Sequence, residues 1–204
     1  MNHNDMLIQV RQAHRVCGAF YQRMIPLIQQ VAEELELEFN VWAPRCFSRP
    51  PQQSTNPFNR WQWDFLPLIN AGFVFSFQQE AGKISGDDYV MDIEIVVDSS
   101  LDGETYKTFY RQGQADACDL HENVESAESY LKIYLFKAKR PLQGSAFNCL
   151  WDNYDGYPPL TGVIDKGTDD AKGIGFKVPM TQCMADNALE TLVDTIRENL
   201  NKLD

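Results

Sequence analysis

Asp92 and Glu94 stand two residues apart in the run Tyr89-Val90-Met91-Asp92-Ile93-Glu94-Ile95-Val96. On a β-strand such residues share a face, which puts the two carboxylates about 7 Å apart on one side. A pair at that spacing can hold a divalent cation or divide acid and base roles. A metal-dependent nuclease would want a lysine close behind on the same strand, but Ile95 and Val96 follow Glu94. Lys132, in the run Tyr130-Leu131-Lys132-Ile133-Tyr134-Leu135-Phe136-Lys137, supplies one only if the two strands pair in a suitable register. The competing expectation is a solvated outer sheet face carrying a cross-strand carboxylate–lysine pair.

A second group, Asp116, Cys118, Asp119, His121, Glu122 and Glu125, is the one cluster that mixes His, Cys and acids. Structural zinc sites need four ligands, usually two close pairs, and no second Cys/His pair accompanies Cys118 and His121. A calcium loop needs regularly spaced oxygens around a central glycine, which is missing. The three histidines, His3, His14 and His121, are scattered, and there is no Gly-x-Ser-x-Gly elbow for a nucleophile. Gly173-Ile174-Gly175 is an isolated Gly-x-Gly that does not lead into Gly-Lys-Ser/Thr, so no phosphate cradle is expected. Neither a metal nor a cofactor is predicted.

The elements that must position these residues are legible from periodicity. Tyr89, Met91, Ile93, Ile95 and Val97 share one strand face, as do Leu131, Ile133 and Leu135 on the second run. One aliphatic and one semi-polar face predict an antiparallel sheet covered on one side. Ahead of it, Leu7, Val10, His14, Cys17, Tyr21, Met24, Ile28, Val31 and Leu35 alternate by three and four residues. That spacing predicts a long helix from about residue 5 to 36, capped by Asn4 or Asp5 and kinked or broken at Pro26. Leu37, Phe39 and Val41 predict a strand directly after it. Residues 43–60 carry four prolines and no acid, and read as a surface excursion tied down by Phe47 and Phe58. The aromatic-rich residues 61–69 read as a satellite core. Residues 73–78 form a strand, Asp102-Gly103 a hairpin turn, and residues 105–111 a further strand. Residues 113–129 read as an acidic surface connection, 144–151 as a short strand, and 174–178 as an edge strand. Thr181 caps a final helix to about Leu203, with Met184, Ala188, Leu192, Ile196, Leu200 and Leu203 facing inward. The predicted fold is a single α+β domain over residues 1–204, with five or six strands and the two terminal helices packed on one face.

Composition bounds the function. The 204 residues are 44% hydrophobic and 23% charged, ordinary for a soluble globular chain. No apolar run approaches the roughly 18 residues that cross a bilayer, and the first residues lack a secretory pattern. Five widely spaced cysteines with no CxxC pair suit reduced thiols, so a cytoplasmic location is predicted. The net charge of −11 is concentrated in residues 62–128, which hold 14 acids and three bases. Such a field repels nucleic acid and anionic membranes and favours a basic protein partner. The leading expectation is a non-enzymatic binder, adaptor or inhibitor presenting Asp92, Glu94, Asp116, Asp119, Glu122 and Glu125 to that partner. The alternative is a metal-assisted hydrolase using Asp92 and Glu94 with Lys132. The stripe of the first helix could also support a homodimer.

Overall fold

The computed structural model describes residues 2–60, 62–110 and 115–204. Chain order is α1 (His3–Glu34), β1 (Glu38–Pro44), β2 (Asn70–Phe77), β3 (Lys83–Ile84), β4 (Tyr89–Val96), α2 (Gly103–Phe109), β5 (Tyr130–Ala138), β6 (Leu142–Gln143), β7 (Ile164–Asp165), β8 (Ala171–Pro179), α3 (Met180–Cys183) and α4 (Ala188–Lys202). Short 3₁₀ turns interrupt residues 57–69 and 99–101. The fold is α+β: one antiparallel sheet of six strands, in the order β1-β2-β4-β5-β8-β7, with a long N-terminal helix and a C-terminal helix. β3 and β6 form a separate two-stranded ribbon.

The alternating residues of β4 and β5 divide as their sequence requires. Met91, Ile93, Ile95, Leu131, Ile133 and Leu135 lie in one cluster with Ile174, Phe176 and Val178 of β8. Over them pack Met24, Leu27, Ile28 and Val31 of α1 and Leu192, Val193 and Ile196 of α4. Each such side chain taken out of water contributes roughly 1.5–3 kcal/mol, which makes this face the main source of stability. Arg23 ties α1 to the chain before α4 by donating to the carbonyls of Cys183 and Ala185.

Several local expectations are corrected. Asn2, not Asn4 or Asp5, caps α1, in a reciprocal box in which Asp5 accepts from the Asn2 N–H. Pro26 lies within α1 without breaking it. A bulge between Phe39 and Val41 places these two on opposite faces, Phe39 against Phe75 and Val41 against Val74, so the simple alternation fails there. Residues 103–109 are helical, and Asp102 sits at the N-cap position instead of in a hairpin turn. Arg111 of the predicted strand lies outside the described residues, as do residues 113–114 of the acidic connection and Trp61 of the aromatic stretch. Phe147–Asp152 is a π-helical turn where a strand was expected. The last helix is split at residues 184–187, which leaves Met184 exposed. Phe47 is buried against Trp63 and Tyr106 as an anchor, whereas Phe58 is 92% exposed and anchors nothing.

The largest correction concerns the other sheet face, which is not solvated. Val74, Val90, Tyr134 and Phe136 are covered by Ala146, Leu150 and Tyr154, and a third cluster joins Phe47, Leu101 and Ala115. The lid over this face is made of connections, not of helices. Glycines in β8 let one of them lie flat on the sheet. A Cβ at Gly175 would stand 2.8 Å from the Pro158 carbonyl oxygen and 3.0 Å from that of Pro159, and one at Gly173 would meet the Pro158 ring at 2.6 Å. This close approach accounts for Gly173-Ile174-Gly175 as packing. Because those neighbours of Gly175 are backbone atoms, Gly175→Ala should lower unfolding stability by about 1–3 kcal/mol in urea titrations, whereas Gly18→Ala, with nothing near its Cβ, should not.

Candidate functional site

Pairing of β4 with β5 sets Glu94 opposite Lys132 and Asp92 opposite Tyr134. The register therefore meets the condition the sequence left open. Yet Asp92 is 0% exposed and Glu94 and Lys132 each 6%, so none of them belongs to an outer acidic surface. Asp92 and Glu94 are corrected from partner-facing residues to buried ones.

Two further groups complete the cluster. Arg45, just beyond β1, is fixed by its N–H bond to the Asn70 carbonyl at 3.1 Å, and its side chain runs over Gly72. A methyl at Gly72 would fall inside the guanidinium, so the absence of a Cβ there is what admits it. The guanidinium lies 6.0 Å from the Trp151 ring centre and 5.7 Å from that of Tyr157, and it forms an ion pair with Asp92. Asp92 Oδ2 also accepts from Trp151 Nε1 at 3.0 Å and from the Tyr157 hydroxyl at 2.7 Å. Asp102 Oδ1 pairs with Lys132 Nζ, and Asp102 Oδ2 accepts from the Tyr130 hydroxyl at 2.6 Å. Though placed at a helix N-cap, Asp102 makes no capping bond, because both its oxygens face the cluster.

Glu94 is held more loosely. Its Oε1 stands 3.4 Å from Lys132 Nζ and its Oε2 3.8 Å from Arg45 Nε. Burial pushes its pKa above the ordinary value. The attraction of Lys132 and Arg45 offsets this only in part, and the charges of Asp92 and Asp102 add to the rise. Burial, with the same carboxylates nearby, also raises the phenols of Tyr130, Tyr134 and Tyr157, which keeps them protonated as donors. The Cys46 thiol donates to the Leu101 carbonyl and is pushed up to about 12 by burial and by Glu94 and Asp102, so it is no nucleophile.

Above the cluster opens a cavity of about 780 Å³. Glu94, Lys132, Asp102 and Arg45 line it, with Tyr130, Tyr134 and Tyr157 and the Pro158-Pro159 wall. Lys107, Lys177, Glu122 and Glu128 stand at the same lining. Asp92 lies outside this lining and serves as the anchor for Arg45, Trp151 and Tyr157. Arg45 already stands against both acids, paired with Asp92 and 3.8 Å from Glu94 Oε2, so the two carboxylates do not make an open pair.

The remaining predicted residues do not gather into one centre. Asp116, Asp119 and Glu125 are exposed, and Asp116 accepts from the Cys118 N–H of its own turn. His121 stacks on Phe109 at 3.5 Å between ring centres. Glu122 accepts from the Ser99 hydroxyl and so reaches the cavity wall. Sequence reasoning missed Arg45, Asp102, Tyr130 and Tyr157 as members of the site. Each comes from a connection or an unremarkable strand end, and no spacing rule links them to Glu94.

Residues 1–203 match the family model described as PM0109, and the chain belongs to that family. No curated protein and no solved structure matches it. Among the described residues, no helix is long and apolar enough to cross a membrane.

Because its folded pKa is raised, Glu94 binds its proton more tightly in the folded than in the unfolded chain. That linkage contributes stability in full below the ordinary value of 4.5 and is lost as pH rises through the raised one. Glu94→Gln imitates the protonated form. The stability of the wild type relative to this variant should therefore fall as pH climbs from acid to neutral, as measured by urea unfolding at each pH. A difference that stays flat would show that the folded protein does not disturb this carboxyl.

Proposed function

We propose that this PM0109-family chain binds a small polar molecule in the cavity above the ionic cluster, with Glu94 as the group that exchanges a hydrogen bond or a proton with it. The observation that carries this reading is that Glu94, alone among the three buried carboxylates of the cluster, lines the cavity while being held only by long contacts. A carboxyl of raised pKa at the floor of a concave site is the usual position of an acid–base or recognition group. Lys132 and Arg45 supply fixed positive charge beside it, and the protonated Tyr134 phenol in the lining supplies a donor. Arg45, Lys107, Lys132 and Lys177 balance Glu94, Asp102, Glu122 and Glu128 in the lining. A field without net sign favours an uncharged or zwitterionic hydrogen-bonding ligand, and it disfavours a polyphosphate.

The test is a thermal-shift and ligand-observed NMR screen with sugars, nucleosides and amino acids. At least one class should raise the melting temperature of the wild type and lose about tenfold or more in affinity with Glu94→Gln, the size of one charge-assisted hydrogen bond. If every compound fails to shift the wild type, or the shift survives in Glu94→Gln, the reading is wrong.

A second reading is supported by the exposure of Asp116, Asp119 and Glu125 on the segment that also forms the cavity wall. In it, residues 115–129 present an acidic surface to a basic protein partner. Charge reversal of these three residues to lysine should abolish a salt-sensitive association with that partner while leaving folding and the small-molecule response intact. Retention of the partner by the reversed protein would remove this reading.

A further inference from the structure

Among the described residues, none buries the first half of α1. All of residues 2–19 are exposed, and Leu7, Val10, His14 and Cys17 of its three-and-four stripe face solvent. Phe20 and Tyr21 are half-buried, Phe20 against the core, and full burial begins at Met24. Met6, Ile8 and Val16, at other angles around the helix, are also open, Val16 being 68% exposed. Isolated helices in water are marginal, and helical stability ordinarily comes from packing an amphipathic face. Seventeen residues of α-helix, His3 to Ala19, about 26 Å long, thus carry an apolar face that the described residues do not cover.

The same chain also carries an uncovered groove. It runs between the second half of α1, at Ile25, Ile28, Gln29 and Ala32, and the edge strand β1, at Phe39 and Trp42, and it encloses about 410 Å³. Phe39 is 55% exposed in it and rests on Phe75 at 5.7 Å between ring centres. Because α1 is one continuous helix, its first half cannot fold back onto a groove flanked by its second half. A second molecule can supply what the first cannot reach.

We infer that this groove receives the first half of α1 from a second copy of the chain, in a two-fold symmetric dimer built on an antiparallel α1–α1′ pair. In such a pairing, whatever the first half of one helix does to the partner's groove is done in return, so the contact closes at two molecules and leaves no open end. Charge along α1 agrees with the antiparallel sense. Residues 2–23 hold Arg11, Arg15 and Arg23 against Asp5, whereas residues 33–38 hold Glu33, Glu34, Glu36 and Glu38 and no base. Antiparallel pairing brings the arginines of one helix alongside the glutamates of the other. Parallel pairing would set like charges together. The cavity above Glu94 lies on the opposite sheet face, so the dimer is independent of the reading given for that site.

Light scattering coupled to size exclusion, over a broad dilution series of the full chain, tests this. The wild type should show twice the monomer mass of 23.4 kDa at the concentrated end and dissociate on dilution. Leu7→Asp with Val10→Asp alters side chains that are exposed in the monomer. It should raise the dimer dissociation constant by about tenfold or more, and the dilute protein should remain folded. Phe39→Asp should weaken the dimer from the groove side, with a lower melting temperature because Phe39 rests on Phe75. Arg11→Glu with Arg15→Glu should weaken the dimer, and adding Glu33→Arg and Glu34→Arg should restore it, a rescue that mere damage to the helix would not give. A wild type that stays monomeric throughout overturns the inference, as does a dimer that survives the Leu7/Val10 change. So would a monomer that sediments with anionic lipid vesicles through Leu7 and Val10, which would assign this helix face to a lipid surface.

Discussion

Five ionisable side chains are packed beneath one face of a β-sheet, and their mutual compensation constrains everything placed around them. Removing an ion from water costs several kcal/mol even after the protein relaxes, so each must find a partner at close range. Lys132 reaches Glu94 because β4 and β5 pair in a register that sets them opposite each other. Arg45 reaches Asp92 because Gly72 leaves the sheet surface bare. Asp102 gives up helix capping to complete the environment of Lys132 and Tyr130. A one-residue slip of β5 would turn Lys132 into the aliphatic core and leave two carboxylates without their shared cation. The network specifies register where apolar burial alone would permit near alternatives.

Within the network, Asp92 and Glu94 have separate tasks despite sharing a face. Asp92 gathers three donors on Oδ2 from residues far apart in sequence, Arg45, Trp151 and Tyr157. Its role is to hold the connections that roof this side of the sheet. Among the described residues, Asp92 Oδ1 and Arg45 Nε are buried without a hydrogen-bond partner, a place suited to an ordered water. Glu94, two residues on, opens on the cavity with long contacts to Lys132 and Arg45. Across one strand repeat the chain passes from a carboxylate with three donors on one oxygen to one held only by long contacts.

Periodicity made much of the fold readable before any coordinates. The helix stripe, the two alternating runs and the aliphatic sheet face are all set by burial repeating at 3.6 or 2 residues, and they stand where the sequence put them. What failed was the inference that a semi-polar face is a wet one. Val-Asp-Glu-Val on β4 and Tyr-Lys-Tyr-Phe on β5 look solvated one strand at a time. Covered from both sides, they instead neutralise one another, and that pairing is invisible without register. Asp102-Gly103 has the composition of a hairpin turn, yet long-range partners for the carboxylate draw it into the start of a helix. Arg45 sits in a proline-rich excursion whose composition suggests only a surface loop. The site was legible in Glu94 and Lys132, whereas the groups brought to it by connections of irregular conformation carried no periodic signal.

The stripe along α1 shows how one pattern can be satisfied by two different surroundings. From Met24 onward it is consumed by the sheet and α4, and the burial there is nearly complete. Toward the N-terminus the same spacing continues through Cys17, His14, Val10 and Leu7, which no described residue buries. A helix needed only to cover the sheet would stop after the sheet ends, or would turn polar on all sides beyond it. Apolar residues kept in phase with the buried half, together with an arginine-bearing start and a glutamate-bearing end, describe a helix whose length answers to something beyond its own domain. The groove beside its second half offers an apolar surface of matching chemistry at the edge of the same sheet.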